Sequence, residues 1–256
     1  MSELDVAKKT AKEAGKILLS YFFDSKTGVI SSKGEIDKVT DADKKSEHFI
    51  RKTIKASFPN HKFIGEEFGE TEEVSDCTWY VDPLCGTFNF IHNLPEFAIS
   101  IGLDCKKEII LGVVYVPVLD ELFWAEKGKG AFINGKKITV SKVSLISNAM
   151  LSSDFGSNPE SRLRQLNFMT KVIPKCEYLR IGGSFPYQLT RLALGKIDGH
   201  FEVEVPIVHR AASMIIVTEA GGRVTNLKNQ PSTILDNDIV SSNGIIHNNL
   251  IDILSN

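Results

Sequence analysis

The order of the predicted elements constrains the fold of this chain more than any other feature of its sequence. Across residues 97–140, apolar segments of strand length follow one another with turn residues between them. The Asn134-Gly135 step is a strong hairpin signal, so this stretch predicts an antiparallel meander. After residue 148, strand-length and helix-length segments alternate, which is typical of a layered α/β arrangement.

The individual elements are predicted from hydrophobic periodicity and from capping and turn residues. Helices are expected at residues 4–23, 41–58, 159–172, 186–194, 208–220 and 245–254. Strands are expected at residues 63–64, 78–81, 98–103, 109–116, 122–125, 133–140, 150–153, 179–180, 199–203 and 239–242. Thr40 or Asp41 can cap the second helix. We expect an N-terminal lobe (1–147) and a C-terminal α/β lobe (148–256) that share one continuous core.

Composition excludes several classes of protein. The 256 residues are 42% hydrophobic and 24% charged, which is ordinary for a globular protein. The net charge of -2 argues against a general nucleic-acid binder. No apolar run reaches membrane-spanning length, and the acidic start of the chain lacks a signal pattern. We therefore expect a cytoplasmic protein without a membrane partner.

The four cysteines form no CxxC pair. In a chain of this size, scattered cysteines are interpreted as free thiols and not as a disulfide framework. Three of them are predicted to pack in the interior: Cys77, Cys105 and Cys176.

Acidic residues follow two predicted strands, and a third acidic region leads into a helix. The segments are Gly65-Glu66-Glu67, residues 82–87 (DPLCGT) and residues 202–209. Carboxylates at strand ends converge at the edge of a sheet, where α/β proteins commonly bind ligands. Such hard oxygen ligands suit Mg²⁺. If Gly86-Thr87 opens a helix, its free backbone N–H groups would face an anion.

The chain resembles a known family at these segments. Residues 79–92 (WYVDPLCGTFNFIH) are similar to the inositol monophosphatase signature W-x-x-D-P-[LI]-D-G-T-x-N-F-x-H, and residues 65–67 match its upstream GEE element. Residues 39–43 resemble its VTxxD element. Further matches follow in order at Gly183-Ser184, Asp198-Gly199, Glu202, Ala211-Ala212 and residues 219–222. The chain is identified as a member of the inositol monophosphatase superfamily over nearly its whole length.

The resemblance implies a fold and a function. The fold is a layered α/β/α/β/α sandwich. The activity is that of a metal-dependent phosphoric monoester hydrolase, which hydrolyses a small sugar, polyol or nucleotide-type phosphate through metal-activated water. A homodimer is also implied, and the apolar meander at residues 97–118 is the surface that the sequence offers for it.

The resemblance also assigns roles to matching residues. Glu66, Asp82 and the Leu84 carbonyl would hold a first Mg²⁺, while Thr87 and Asp43 would position the attacking water. The substrate-binding group would comprise the Gly86 and Thr87 N–H groups, Ser184, Glu202 and the residue at position 209.

Two departures fall on the family's second metal site. Cys85 stands where the D-P-L-D-G-T motif has its second aspartate, and His209 stands where W-D-x-A-A-G has its aspartate. In the family, these two aspartates and the counterpart of Asp82 hold the second metal. In addition, Phe185-Pro186 replace small residues beside the substrate.

Three interpretations of Cys85 stay open. It can be the remnant of a decayed site. It can be a soft ligand that binds Zn²⁺ or Fe²⁺ together with Asp82 and His209, with an affinity that falls below about pH 6.5 as histidine protonates. It can also be a nucleophile whose pKa is lowered at a helix N-terminus. The alternative functions are therefore a pseudophosphatase that binds a phosphorylated ligand or a protein partner, and a repurposed enzyme using Cys85 and His209.

Overall fold

A computed structural model describes residues 1–23, 31–32, 38–156 and 158–255 of the chain. Its helices are α1 (Glu3–Phe22), α2 (Asp41–Ser57), α3 (Thr87–Ile91), α4 (Pro159–Val172), α5 (Phe185–Ala193), α6 (Ile207–Glu219) and α7 (His247–Ser255). Its strands are β1 (Ser31–Ser32), β2 (Lys38–Val39), β3 (Lys62–Gly65), β4 (Gly69–Glu70), β5 (Cys77–Cys85), β6 (Ala98–Cys105), β7 (Glu108–Val116), β8 (Glu121–Glu126), β9 (Gly130–Ile133), β10 (Lys136–Ile138), β11 (Met150–Ser153), β12 (Tyr178–Ile181), β13 (Gly199–Glu202), β14 (Arg223–Thr225) and β15 (Ile239–Ser242).

Two large sheets organise these elements, and β1 and β2 form a separate pair. The first sheet has eight strands in the order β10-β9-β8-β7-β6-β5-β3-β4. It is antiparallel from β5 to β10, which confirms the predicted meander, and β3 lies parallel to β5. The second sheet has five strands in the order β12-β11-β13-β15-β14. Its strand β11 is parallel to both neighbours, whereas β15 is antiparallel to both of its own.

The helices cover the faces of both sheets. Helices α1 and α2 pack on one face of the eight-stranded sheet, and α5 and α6 lie between the two sheets. Helices α4 and α7 contact each other, and α7 packs on β15. This arrangement is the predicted α/β/α/β/α sandwich. In the described part of the chain, no helix is both long enough and apolar enough to cross a lipid bilayer.

Local sequence signals account for several element boundaries. Thr40 caps α2 by accepting backbone hydrogen bonds, and Asp43 accepts the Thr40 N–H at 2.8 Å, which completes a capping box. Asn134 and Gly135 both have positive φ and connect β9 to β10 as a hairpin. The strand predicted at residues 133–140 is therefore wrong in its boundaries, because the Asn-Gly turn divides it.

The two meander strands within residues 97–118, β6 and β7, lie mostly inside the molecule. Ile99, Ile101 and Val113 are fully buried between the helical layers on either side of the sheet. The prediction that residues 97–118 offer a dimer surface is therefore wrong, because these apolar side chains form the core of the chain itself. One apolar cluster joins Cys85 and Ala98 to Phe185 and Ile216, so the core crosses from the first half of the sequence to the second.

A disulfide joins Cys77 to Cys105. The prediction that all four cysteines are free is wrong for these two, and both side chains are only half buried. The sequence separation of 28 residues hides their proximity, but β5 and β6 pair so that the two cysteines lie directly opposite, with Cα atoms 4.1 Å apart. Cys85 and Cys176 are free, the first buried and the second half buried.

Candidate metal and phosphate site

Sheet register brings the first two predicted acids together. β3 and β5 are parallel neighbours, with Gly65 opposite Val81, so Glu66 and Asp82 follow at the same edge. The Glu66 N–H donates to the Val81 carbonyl at 3.2 Å, which extends the pairing by one step. Two carboxylates are thereby held side by side at the end of the sheet.

Asp82 is fully buried and has an unused acceptor. Its Oδ1 accepts the Leu84 N–H at 3.0 Å, whereas no hydrogen bond of acceptable geometry reaches its Oδ2 from the residues that the structure describes. Burial, followed by the charge of Glu66, raises the pKa of Asp82 well above its ordinary value. A buried carboxylate with an oxygen that accepts no hydrogen bond, beside a second carboxylate, fits a neighbouring cation.

Helix α2 fixes the turn that carries Glu66. The Glu47 side chain is buried and accepts the backbone N–H groups of Glu67 at 2.6 Å and Phe68 at 3.1 Å. A Cβ on Gly65 would lie 2.1 Å from Glu47 Oε1, so only glycine permits this approach. The backbone on either side of Glu66 is thus held by two neighbouring elements.

Gly86 and Thr87 form the turn into α3, as the sequence predicts. Gly86 has a φ of 98°, and a Cβ there would lie 3.0 Å from both the Glu96 carbonyl and the Ser184 Cβ. The Thr87 hydroxyl lies 3.2 Å from Asp43 Oδ1 and 3.2 Å from the Leu84 carbonyl. Asp43 therefore reaches the site through Thr87, from behind the turn.

His209 lies within the acidic group. Its Nε2 is 3.5 Å from Asp82 Oδ2 and 3.6 Å from Glu66 Oε2. Burial lowers the pKa of His209, but the carboxylates of Asp82, Glu66 and Glu202 outweigh burial and raise the pKa to about 9. The ring is therefore cationic at neutral pH without a metal. The sequence-based expectation that His209 protonates near pH 6.5, the free-histidine value, is therefore too low. The position of His209 in the sequence does not show its contacts with these carboxylates.

Cys85 completes a possible ligand set with Asp82 and His209. One donor atom from each residue lies within 4.8 Å of the others. Burial first, and then the charges of Asp82 and Glu66, raise the pKa of the Cys85 thiol well above its ordinary value. The lowered pKa expected from a helix N-terminus is thus wrong for the metal-free chain, because the thiol belongs to buried β5 beside two carboxylates.

Two predicted residues reach the site from the C-terminal half of the chain. Ser184 precedes α5, and Glu202 ends β13 of the second sheet. The Ser184 hydroxyl donates to the Cys85 carbonyl at 2.9 Å. Glu202 Oε2 lies 3.1 Å from His200 Nε2, and burial raises the pKa of Glu202 to about 8 against the opposing charge of His209. Glu202 is therefore mostly protonated at pH 7.

One cavity of about 490 Å³ connects these groups. Of the predicted site residues, it is lined by Glu66, Asp82, Leu84, Cys85, Gly86, Thr87, Ser184, Glu202 and His209. Asp43 is the predicted residue that does not line it. The size falls within the range of small-molecule sites in enzymes.

The cavity also contains residues that sequence reasoning missed. Asp154, Phe155, Phe88, Ile181 and Arg162 line it as well. Asp154 comes directly after β11, just as Asp82 comes directly after the part of β5 that pairs with β3. A carboxylate after a buried strand could therefore have identified Asp154 from the sequence. Burial and the charge of Glu202 raise the pKa of Asp154 to about 7. The two phenylalanines and Ile181 had no comparable signal, because apolar residues are common everywhere.

Known proteins are similar to this chain in sequence and in fold. An inositol monophosphatase of Solanum lycopersicum, inositol monophosphatase 2, is 38% identical over 260 residues, covering 98% of this chain and 97% of the relative. The Nus factor SuhB of Escherichia coli K12 is 35% identical over 242 residues, covering 94% and 91%. The solved structure of the IMPase of Thermotoga maritima has a TM-score of 0.91 at 30% identity and covers 100% of this chain and 97% of that one.

The family assignment rests on a match over the whole length of the chain. The model of the inositol monophosphatase family matches residues 1–256, which includes both halves of the sandwich and every strand end that contributes to the cavity. The predicted superfamily is confirmed, and this chain belongs to the inositol monophosphatase family.

Proposed function

We propose that the chain is a metal-dependent phosphomonoesterase that acts on a small sugar, polyol or nucleotide-type phosphate. The observation that carries this proposal is the buried Asp82 beside Glu66, next to the Gly86-Thr87 turn. Its Oδ2 accepts no hydrogen bond from the described residues and has the His209 Nε2 as an ionic neighbour at 3.5 Å. The net reaction adds water across the P–O bond, which yields orthophosphate and the free alcohol. The phosphatase relatives of similar length support the same reaction class.

The donor set at Glu66, Asp82 and the Leu84 carbonyl fits Mg²⁺, because all three are hard oxygen ligands. When bound, Mg²⁺ supplies charge that lowers the pKa of water and neutralises phosphoryl oxygens. Asp43 accepts from the Thr87 hydroxyl and so orients it toward the attacking water. The Gly86-Thr87 turn binds the phosphate, and the Glu202 carboxyl binds a substrate hydroxyl.

The test of this function measures metal and turnover on one purified sample. Mg²⁺ binding is measured by titration calorimetry and orthophosphate release by a colorimetric assay with sugar, polyol and nucleotide phosphates. The Asp82→Asn variant should release no orthophosphate above background, whereas Glu160→Gln, an exposed acid on α4, should match wild type. Wild type that binds Mg²⁺ but releases nothing from any ester, with Mg²⁺ alone or with Zn²⁺ or Fe²⁺ added, would remove the phosphatase assignment.

The proposal includes a second, softer metal site at Asp82, Cys85 and His209. Their donor atoms already lie within 4.8 Å of one another, and thiolate and imidazole suit Zn²⁺ or Fe²⁺. Both Cys85 and His209 must lose a proton to bind. Because the pKa of His209 is about 9, apparent Zn²⁺ affinity should weaken progressively as pH falls from 9 toward 6.

Elemental analysis of protein purified without chelator tests the soft site. Wild type should contain Zn or Fe that Cys85→Ser and His209→Ala both lose, while Cys176→Ser, which changes the other free thiol, retains it. Equal metal content in wild type and the Cys85→Ser/His209→Ala double variant would favour a decayed site.

A pseudophosphatase is the alternative, and the position of His209 favours it. The imidazole compensates the charge of Asp82 and Glu66 from within the chain, so the acids are stabilised without a second metal. The partner would be a phosphorylated ligand or another protein; one relative is itself a Nus factor. Tight phosphate binding without turnover in the presence of Mg²⁺ would select this alternative. Turnover that depends on Cys85 and His209 but not on Glu66 would select a repurposed enzyme.

A further inference from the structure

The mouth of the cavity carries three large apolar side chains, together with the exposed Glu204 and the half-buried Arg162. Phe88, Phe155 and Ile181 line the cavity, yet they remain 45%, 39% and 55% exposed. They come from three separate elements: α3, the segment after β11, and the end of β12. The carboxylates of Asp82 and Glu202 lie deeper, and both side chains are almost completely shielded from solvent.

Exposed large apolar side chains that converge on a concave site indicate a binding surface. Phe185, which forms the inner wall, is buried against His200 and continues the apolar surface inward. A fully hydroxylated polyol would leave the mouth side chains in contact with polar groups. A planar aromatic ring would instead cover them and remove apolar surface from water.

We propose that this cavity selects phosphomonoesters whose leaving group carries a planar aromatic ring. The inference rests on the proposed phosphatase function. The phosphate end binds at the Gly86-Thr87 turn, and the ring lies among Phe88, Phe155 and Ile181. In a nucleotide, the ribose between them lies beside Glu202. A nucleoside and a simple aryl alcohol share this chemistry, so both are tested.

The experiment compares equilibrium binding and hydrolysis in wild type with Mg²⁺. The probes are 1-naphthyl phosphate, adenosine monophosphates with the phosphate at the 2′, 3′ or 5′ position, glycerol 2-phosphate and inositol 1-phosphate. Binding is measured by titration calorimetry with Thr87→Ala, which should turn over slowly because it removes the hydroxyl that positions water, and kcat/KM is measured with wild type. At least one aromatic ester should bind about 3- to 10-fold more tightly than both polyol esters, the range expected for one or two aromatic contacts.

Variants at the mouth separate ring recognition from folding and from phosphate binding. Phe155→Ala and Ile181→Ser should lower affinity for the aromatic esters by about the same factor while affinity for glycerol 2-phosphate stays within about twofold. Phe155→Leu should retain part of the preference. Phe23→Ala, which removes a 71% exposed phenylalanine that does not line the cavity, is the matched control.

Two outcomes overturn the proposal in different ways. Equal affinity for aromatic and polyol esters in wild type refutes ring selection even if every ester is hydrolysed. Unchanged selectivity in Phe155→Ala together with a change in molecular mass assigns the mouth to a protein interface. Binding of aromatic esters without any hydrolysis leaves ring selection intact and contradicts only the phosphatase function. The nucleotide and naphthyl arms then show which source of the ring is preferred.

Discussion

Cys85 and His209 change the charge around Asp82 by more than the loss of two carboxylates. Relative to the family motif, two carboxylates are lost. His209, whose pKa is raised to about 9, also adds a positive imidazolium at neutral pH. Burial keeps the Cys85 thiol neutral by raising its pKa, so it does not restore a negative charge. A second hard cation beside His209 is therefore strongly disfavoured.

Activity on inositol monophosphate with Mg²⁺ alone should consequently be low, with turnover well below about 1 per second. The Cys85→Asp/His209→Asp double variant restores both carboxylates and should raise turnover by about 10²- to 10³-fold, the usual value of one electrostatic stabiliser of the transition state. Steady-state kinetics at saturating Mg²⁺ provide the measurement. Each single variant should raise turnover much less. Cys85→Asp leaves the His209 cation in place, and His209→Asp leaves the Cys85 thiol in place.

The control for this prediction is Cys176→Asp, which adds a carboxylate at the other free thiol, outside the cavity lining. Its turnover should match wild type. A double variant that folds and binds Mg²⁺ but is no faster than wild type would show that the second site does not limit this protein.

The first Mg²⁺ site should depend on Asp82. Asp82→Asn removes the charge but keeps the shape, so Mg²⁺ affinity should fall at least about tenfold in titration calorimetry. Asp120→Asn, an exposed acid in the turn before β8, should leave affinity unchanged. No heat from millimolar Mg²⁺ or Mn²⁺ in wild type would contradict the site itself.

At the scale of elements, the disulfide ties the start of β5 to the end of β6. It closes a separation of 28 residues, for which the chain-entropy relation gives at most about 3 to 4 kcal/mol. Reductant should therefore lower the free energy of unfolding in urea by up to that amount. The Cys77→Ser/Cys105→Ser variant should show the lower stability without reductant and no further response to it. Equal stability of wild type with and without reductant would contradict the prediction.

A buried histidine couples α7 to the second sheet. His247 Nε2 lies 2.8 Å from Thr225 Oγ1 on β14, and Nδ1 lies 2.9 Å from Ser242 Oγ on β15. Burial first, and then the charge of Arg223, lowers the pKa of His247 to about 4. The unfolded residue titrates near 6.5, so between about pH 6.5 and 4 the unfolded chain binds more protons than the folded one.

The free energy of unfolding should therefore fall as pH decreases through this window. His247→Gln should reduce the pH slope by at most one bound proton in urea titrations at pH 7, 6, 5 and 4.5. His48→Gln, an exposed histidine on α2, should keep the wild-type slope. The slope will not vanish in His247→Gln, because burial also lowers the pKa of His200 to about 4. A variant slope equal to that of wild type would rule out this role for His247.

Elements were predictable where local chemistry decides them. Residues 150–153, 159–172 and 239–242 agree with β11, α4 and β15 at both ends. Each has a polar residue at one boundary or both: Asp154 after β11, Asn158 before α4, and Asp238 and Asn243 around β15. The Cys77–Cys105 pair and the short β14 were missed, because each depends on a partner distant in sequence. The site shows the same division. Motif spacing identified Glu66 and Asp82, whereas the pKa of His209 depends on three-dimensional neighbours.

At the scale of the whole molecule, the open question that sequence raises is assembly. A cytoplasmic homodimer stays a prediction, and the structure removes the meander as its surface because those strands are buried. The second sheet offers a different one. Among the strands that the structure describes, β12 lies at its edge and pairs only with β11, and Tyr178 on this strand is 59% exposed. An unpaired edge strand with an exposed aromatic residue is a template for association.

Light scattering at micromolar concentration should therefore give twice the chain mass of 28.3 kDa. Tyr178→Asp places a charge at the start of the edge strand β12, where its desolvation opposes association, so this variant should shift toward the monomer mass. Leu235→Asp changes an 85% exposed leucine in a loop and should stay dimeric. A wild-type monomer refutes the homodimer. A dimer that tolerates Tyr178→Asp moves the interface away from β12, because a buried unpaired carboxylate at an interface weakens it by several kcal/mol (about 2 to 5).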